Sequence, residues 1–104
     1  MPTTSVSLAS PPSQHKQPKT TTNYFRHNSL NSQIGRTLRR IRMNKDLTLR
    51  NVAKNSNVAL AFICEVELGQ KVASSSTVEA LCRGLGITTV EFYTELITTI
   101  EKGW

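Results

Sequence analysis

No aspartate or glutamate precedes Asp46 in this chain of 104 residues. The resulting excess of positive charge is a formal +6, with an isoelectric point near 9.8. A small fold carrying it must tolerate self-repulsion or meet an anionic partner. No apolar run approaches the ~18 residues that a membrane helix needs. The N-terminus also lacks the basic-then-apolar layout of a signal peptide. The sequence therefore predicts a cytoplasmic protein without membrane contact. Cysteine is scarce: Cys64 and Cys82 form no CxxC pair, both fall on apolar-periodic stretches, and they read as reduced thiols. The two histidines, His15 and His27, lie far from them in a polar region, so neither a metal nor another cofactor is expected. Paired carboxylates, a Gly-rich phosphate loop and a nucleophile–base constellation are missing as well, and no enzyme activity is expected. The Ser74-Ser75-Ser76 run is better explained as a helix N-cap than as a source of a nucleophile.

What is present divides into two parts. Residues 1–31 are rich in Ser, Thr, Pro, Gln and Asn and carry Lys16, Lys19 and Arg26. Such a segment buries too little apolar surface to offset its ordering entropy, and it is expected to be a disordered basic tail. Residues 32–104 carry the helical periodicity. A core of about seventy residues is near the lower limit for independent stability, so pairing with a second copy would help.

The folded part reads as five helices. The first is expected to begin near Ser32, with Ile34, Leu38 and Ile41 inward and arginines on its other faces. It is expected to end at Asn44 to Asp46. Thr48 is a good N-cap for a second helix, although Asn51 stands where a capping box has Glu or Gln, which weakens that device. A third helix is expected from Leu60 to Leu68, closed by Gly69, and a fourth from the serine run to Gly86. Gly84 inside the fourth helix implies a close packing contact or a soft helix. Thr88-Thr89-Val90-Glu91 is a capping box that opens a fifth helix. Its apolar stripe of Tyr93, Leu96, Ile97, Ile100 and Trp104 is wider than a single small domain needs, and its outer part is expected to make an isologous dimer contact, the alternative being that the stripe simply caps the core.

Between Leu47 and Gly69 the spacing is that of two short helices crossing on a tight turn. Ala53 is the small residue of the first helix, Asn57 makes the turn, and Val58, Ile63 and Val66 plug the second. The outer face of the second helix is then free to enter a major groove. The basic run Arg36, Arg39, Arg40, Arg42, Lys45, Arg50 and Lys54, opposed only by Asp46, suits a face laid on phosphates.

The residues Leu38-Arg39-Arg40-Ile41-Arg42, Leu47-Thr48-Leu49-Arg50, Ala53, Val58, Ile63, Glu67-x-Gly69 and Leu85-Gly86-Ile87 carry a family resemblance. Through them the chain resembles the lambda-repressor-like helix-turn-helix family, the Cro and xenobiotic-response-element group. Glu65-Val66-Glu67 and Ala73-Ser74-Ser75 make it look most like the Clp-gene regulators of actinobacteria. Asn57 and Asp46 stand where the family usually has Gly. Ala59 replaces the usual hydroxyl cap of the third helix, Phe62 replaces a Tyr, and Leu68 a polar residue.

The resemblance implies an all-α, five-helix DNA-binding domain behind the tail. It also implies a homodimeric, nucleoid-associated transcription regulator on double-stranded DNA. Carried over, the backbone clamp on phosphate is Thr48, Leu49 and Arg50, with Lys71 as a second clamp and Arg36 and Arg39 assisting. Base reading falls to Ala59, Leu60, Ala61 and Glu65, with Glu65 accepting from a cytosine amine and the three apolar residues meeting thymine methyls, while Phe62, also placed on the DNA-binding side, lacks the Tyr hydroxyl that could reach a phosphate. An ion pair between Arg42 and Glu67 is implied as scaffold. The other function class is a protein-interaction module, antitoxin-like or an anti-regulator, and control is expected through abundance, a protease or a protein partner.

Overall fold

Side-chain caps open four of the five helices in the computed structural model, which describes residues 29–103. The helices are α1 (Leu30–Asn44), α2 (Leu49–Ser56), α3 (Leu60–Glu67), α4 (Ser75–Leu85) and α5 (Thr89–Lys102), and no strand occurs among the described residues. The expected tail over residues 1–31 falls almost wholly outside the described residues. Ser29, Thr48, Ser74 and Thr88 each accept a hydrogen bond from the amide three residues on, which satisfies a donor that the first helical turn leaves open. Ala59, before α3, has no side chain that can do so.

Two local expectations are corrected. The first helix begins at Leu30 rather than Ser32, because Ser29 supplies the cap and Ser32 its bonded amide. The capping box of α2 is complete, because the shorter Asn51 carboxamide still accepts from the Thr48 amide at 2.9 Å.

Helix ends follow a shared pattern. Asp46, Gly69 and Gly86 take left-handed backbone, with φ of 57°, 78° and 74°. At each, the next residue's amide reaches back five positions: Leu47 to the Arg42 carbonyl, Gln70 to Glu65 and Ile87 to Cys82. Asn57 takes the same conformation (φ 62°) in the turn between α2 and α3. Asp and Asn visit this region at lower cost than other side chains do.

α1 packs on α3 and α5, α2 on α3 and α4, and α4 on α5. The centre is filled by Val52, Ile63, Val66, Leu81 and Phe92, all at most 2% exposed. Two crossings are so close that only glycine fits. A Cβ on Gly35 would fall on the carbonyls of Val66 and Glu67, and one on Gly84 would meet Ser56 and the Val52 carbonyl. Gly84 therefore marks a packing contact between α2 and α4.

Candidate nucleic-acid interface

The start of α2 offers two donors. Thr48 Oγ1 takes the Asn51 amide and the Thr48 carbonyl takes the Val52 amide, at 3.0 and 3.1 Å. The amides of Leu49 and Arg50 have no acceptor among the described residues. They project from the positive end of the helix dipole, where an anion is favoured. The Arg50 side chain is exposed, whereas Leu49 is half-buried against the core and acts only through its backbone.

α3 is held from beneath by Ile63 and Val66, each 1% exposed, with Val58 and Phe62 packed partly against the same core. Its outer side begins with Ala59, Leu60 and Ala61, all exposed. Glu65 is half-buried, and Leu68, just past the helix, is exposed. Phe62 departs from the other residues expected on the DNA-binding side, since it is half-buried and packs partly against the core. Lys71 is exposed in the loop beyond Gly69. The α2 N-terminus and the first turn of α3 thus belong to one helix-turn-helix unit, with Lys71 just past its end.

The unit is fastened to α1 by Arg42. Its Nε and Nη2 donate to the two Glu67 carboxylate oxygens at 2.8 and 2.9 Å, and its Nη1 donates to the Leu47 carbonyl at 3.0 Å. The Arg42 and Glu67 side chains are only 13% and 7% exposed, so the bidentate pair works in a partly dry setting. The hydrogen bond to Glu67 raises the Arg42 guanidinium above its ordinary value, against an opposing push from burial. One guanidinium therefore ties together α1, the α1–α2 connection and the end of α3.

On α5 the expected stripe divides. Tyr93, Ile97 and Ile100 are exposed and are joined by Val90. Leu96 is corrected: it is 6% exposed and belongs to the core with Phe92, which the expected stripe omitted. Trp104 lies outside the described residues.

A second polar connection escaped sequence reasoning. Thr37 and Thr99 are fully buried with their hydroxyls 2.7 Å apart, and Arg40 donates to Thr99 Oγ1 at 2.9 Å and to Glu95 Oε1 at 2.9 Å. The only sequence signal was the pair of threonines on facing helix stripes, which no periodicity count rewards. The two cysteines do not meet: Cys64 is half-buried on α3, and Cys82 lies in the core, where burial pushes its thiol up. No cluster of potential metal ligands exists among the described residues.

Comparison with known proteins agrees with this geometry. A family model described as a helix-turn-helix domain matches residues 33–92. The transcriptional regulator ClgR of Mycobacterium tuberculosis (strain ATCC 25618 / H37Rv) is 38% identical over 52 residues, covering 50% of this chain and 46% of the relative. The match thus spans about half the length of that curated protein. The crystal structure of the clp gene regulator ClgR from Corynebacterium glutamicum superimposes with a TM-score of 0.66 at 30% identity, over 71% of this chain and 79% of that one. The restriction-modification controller protein C.Esp1396I, solved as a tetramer in complex with its natural 35 base-pair operator, gives 0.67 at 26% identity, over 69% and 95%. The matched segment runs from the first turn of α1 into α5, more than half of the sequence. With α2 and α3 crossing on the Asn57 turn inside it, this chain belongs to the helix-turn-helix domain family.

Proposed function

We propose that this chain is a sequence-specific DNA-binding regulator of transcription, without enzymatic activity, acting at the nucleoid in the cytoplasm. In this reading α3 enters the major groove. The Leu49 and Arg50 amides and Lys71 hold backbone phosphates on either side of it. The observation that carries the proposal is the exposed first turn of α3, Ala59-Leu60-Ala61, in the same helix-turn-helix unit as two amides without an acceptor among the described residues. Small apolar side chains at that point suit thymine methyls, and Glu65 suits the donor amine of cytosine. Phe62 sets the tilt of α3 on the core and borders the contact. That a protein of similar fold has been solved on its operator supports DNA as the partner.

Two copies pair through the outer face of α5, with Tyr93, Ile97 and Ile100 in contact, and so read an inverted repeat with half-sites about one helical turn apart. The first test is selection from random duplex DNA at physiological salt with a polyanion competitor. Enrichment of a short inverted repeat is the expected result. Binding without enrichment would reduce the interaction to phosphate attraction and overturn sequence-specific reading.

A protein-docking role for α3 has one observation in its favour. The helix carries no basic residue, and Leu60 and Leu68 are 40% and 53% exposed. The double variant Arg50→Ala, Lys71→Ala separates the two readings: it abolishes binding to the selected duplex if DNA is the partner. Under the docking reading it leaves partner binding intact.

A further inference from the structure

α5 is held on the domain in two different ways. Its first half is anchored by Phe92 and Leu96 in the apolar core. Beyond Leu96 the only buried residue of the helix, among those described, is Thr99. Ile97 and Ile100, in this second half, are 55% and 45% exposed. The half of α5 that carries them therefore has no buried apolar side chain. What holds it is polar, and it comes from α1.

Arg40 supplies most of that hold. Its Nη1 donates to Thr99 Oγ1 at 2.9 Å, and its Nη2 donates to Glu95 Oε1 and to the Glu95 carbonyl at 2.9 and 3.2 Å. Thr37, one turn earlier on α1, meets Thr99 Oγ1 at 2.7 Å and the Gln33 carbonyl at the same distance. Three acceptors on one guanidinium, backed by a buried hydroxyl pair, fix the direction of a helix as well as its position, because hydrogen bonds weaken steeply when bent. Two residues further along α1, Arg42 grips Glu67 at the end of α3 and the Leu47 carbonyl ahead of α2. Gly35 lets the same helix close on the Val66 and Glu67 carbonyls. α1 thus joins the helix proposed to pair two copies to the helix proposed to read bases.

We infer that Arg40 and Thr99 are positioning residues that set the spacing at which two half-sites are read. They do so by holding the second half of α5 at one angle to α1, and through α1 to α3. The inference rests on the proposed reading of DNA by a dimer paired through α5. One base pair inserted between half-sites moves them apart by about 3.4 Å and turns them by about 34°. A dimer whose contact helix is fixed to its reading helix tolerates one spacing. A dimer hinged at that joint accepts several.

The experiment uses the full chain and the inverted repeat enriched by the selection, with its half-sites also moved one and two base pairs closer and further apart. The readout is the ratio of affinities between spacings within each variant, which a uniform change in affinity does not move. In the parent a shift of one base pair is expected to cost about tenfold, because the second half-site is no longer engaged. In Thr99→Val and in Arg40→Met the spacings are expected to fall within about threefold of one another, with the enriched half-site and the sedimentation of the dimer unchanged. Thr99→Ser keeps the hydroxyl and is expected to keep the parent's ratio. Arg40→Met keeps the stem and leaves Thr99 bonded to Thr37 and the Glu95 carbonyl, so it decides the matter if Thr99→Val fails to fold. Variants that keep the parent's ratio, variants that sediment as monomers, or a parent indifferent to spacing overturn the positioning role alone. A parent that binds a lone half-site as tightly as the pair overturns the dimer beneath it. A parent that binds no duplex overturns the DNA reading itself.

Discussion

At the residue scale the decisive contact is Arg42 with Glu67. An exposed pair of this kind contributes little, because water and salt screen it. Here both side chains are mostly covered and Arg42 spends a third donor on the Leu47 carbonyl. Glu67→Gln would keep the shape but leave a partly buried guanidinium without its counter-charge. The expected cost is about 3 kcal/mol in chemical denaturation, the lower end for breaking a covered pair. Glu95→Ala, which opens the Arg40 pair, is expected to cost under about 1 kcal/mol, because the Glu95 side chain is 48% exposed. Equal losses in the two variants would refute the assignment of Arg42–Glu67 as the main clamp. Sequence reasoning reached that pair only through the family resemblance. Asp46 and Asn57 were legible from residue type as well, since Asp and Asn tolerate the left-handed backbone that both take here.

At the scale of the helix, legibility depended on how completely apolar residues mark a buried face. α2 and α4 were readable because Val52, Val78, Leu81 and Leu85 fall inward with hydroxyl caps ahead of them. α5 misled for a physical reason. Its buried face is Phe92, Leu96 and Thr99, and the third of these is polar. The visible apolar stripe at Tyr93, Ile97 and Ile100 is the exposed neighbour of that face, one step around the helix. Threonine is accepted in the interior because its hydroxyl is satisfied by Thr37, Arg40 and the Glu95 carbonyl. Thr99→Val would retain the volume and strip an acceptor from the Arg40 guanidinium and a partner from buried Thr37. A loss of about 1–2 kcal/mol is expected in thermal or urea unfolding. No loss would mean that water replaces the hydroxyl, and that the joint between α1 and α5 rests on its apolar contacts alone. The candidate site divided along the same line. The N-cap of α2 was legible from residue type and the outward side of Ala59 to Ala61 from spacing, Lys71 entered only through the family resemblance, and the inward packing of Phe62 was not legible.

At the scale of the molecule, the question is what covers the outer face of α5. Val90, Tyr93, Ile97 and Ile100 are 73%, 45%, 55% and 45% exposed, and they share one side of the terminal helix. The same helix is fixed to α1 by the threonine–arginine cluster, so any partner docked on it meets a surface of defined angle. Under the proposed reading of an inverted repeat that partner would be a second copy, because two-fold protein symmetry matches two-fold DNA symmetry. Ile97→Asp with Ile100→Asp places two charges at the centre of this face while leaving Phe92 and Leu96 untouched. The variant is expected to sediment as a monomer and to keep the helical circular dichroism of the parent. It should also bind one half-site weakly and lose the advantage of the paired site. The dependence on protein concentration separates the alternatives: a paired parent gains stability as it is concentrated, whereas the variant melts at a fixed temperature. If parent and variant sediment alike as dimers, α5 is not the dimer face. The two-fold axis must then be sought elsewhere on the domain, and the spacing expected for the half-sites changes with it.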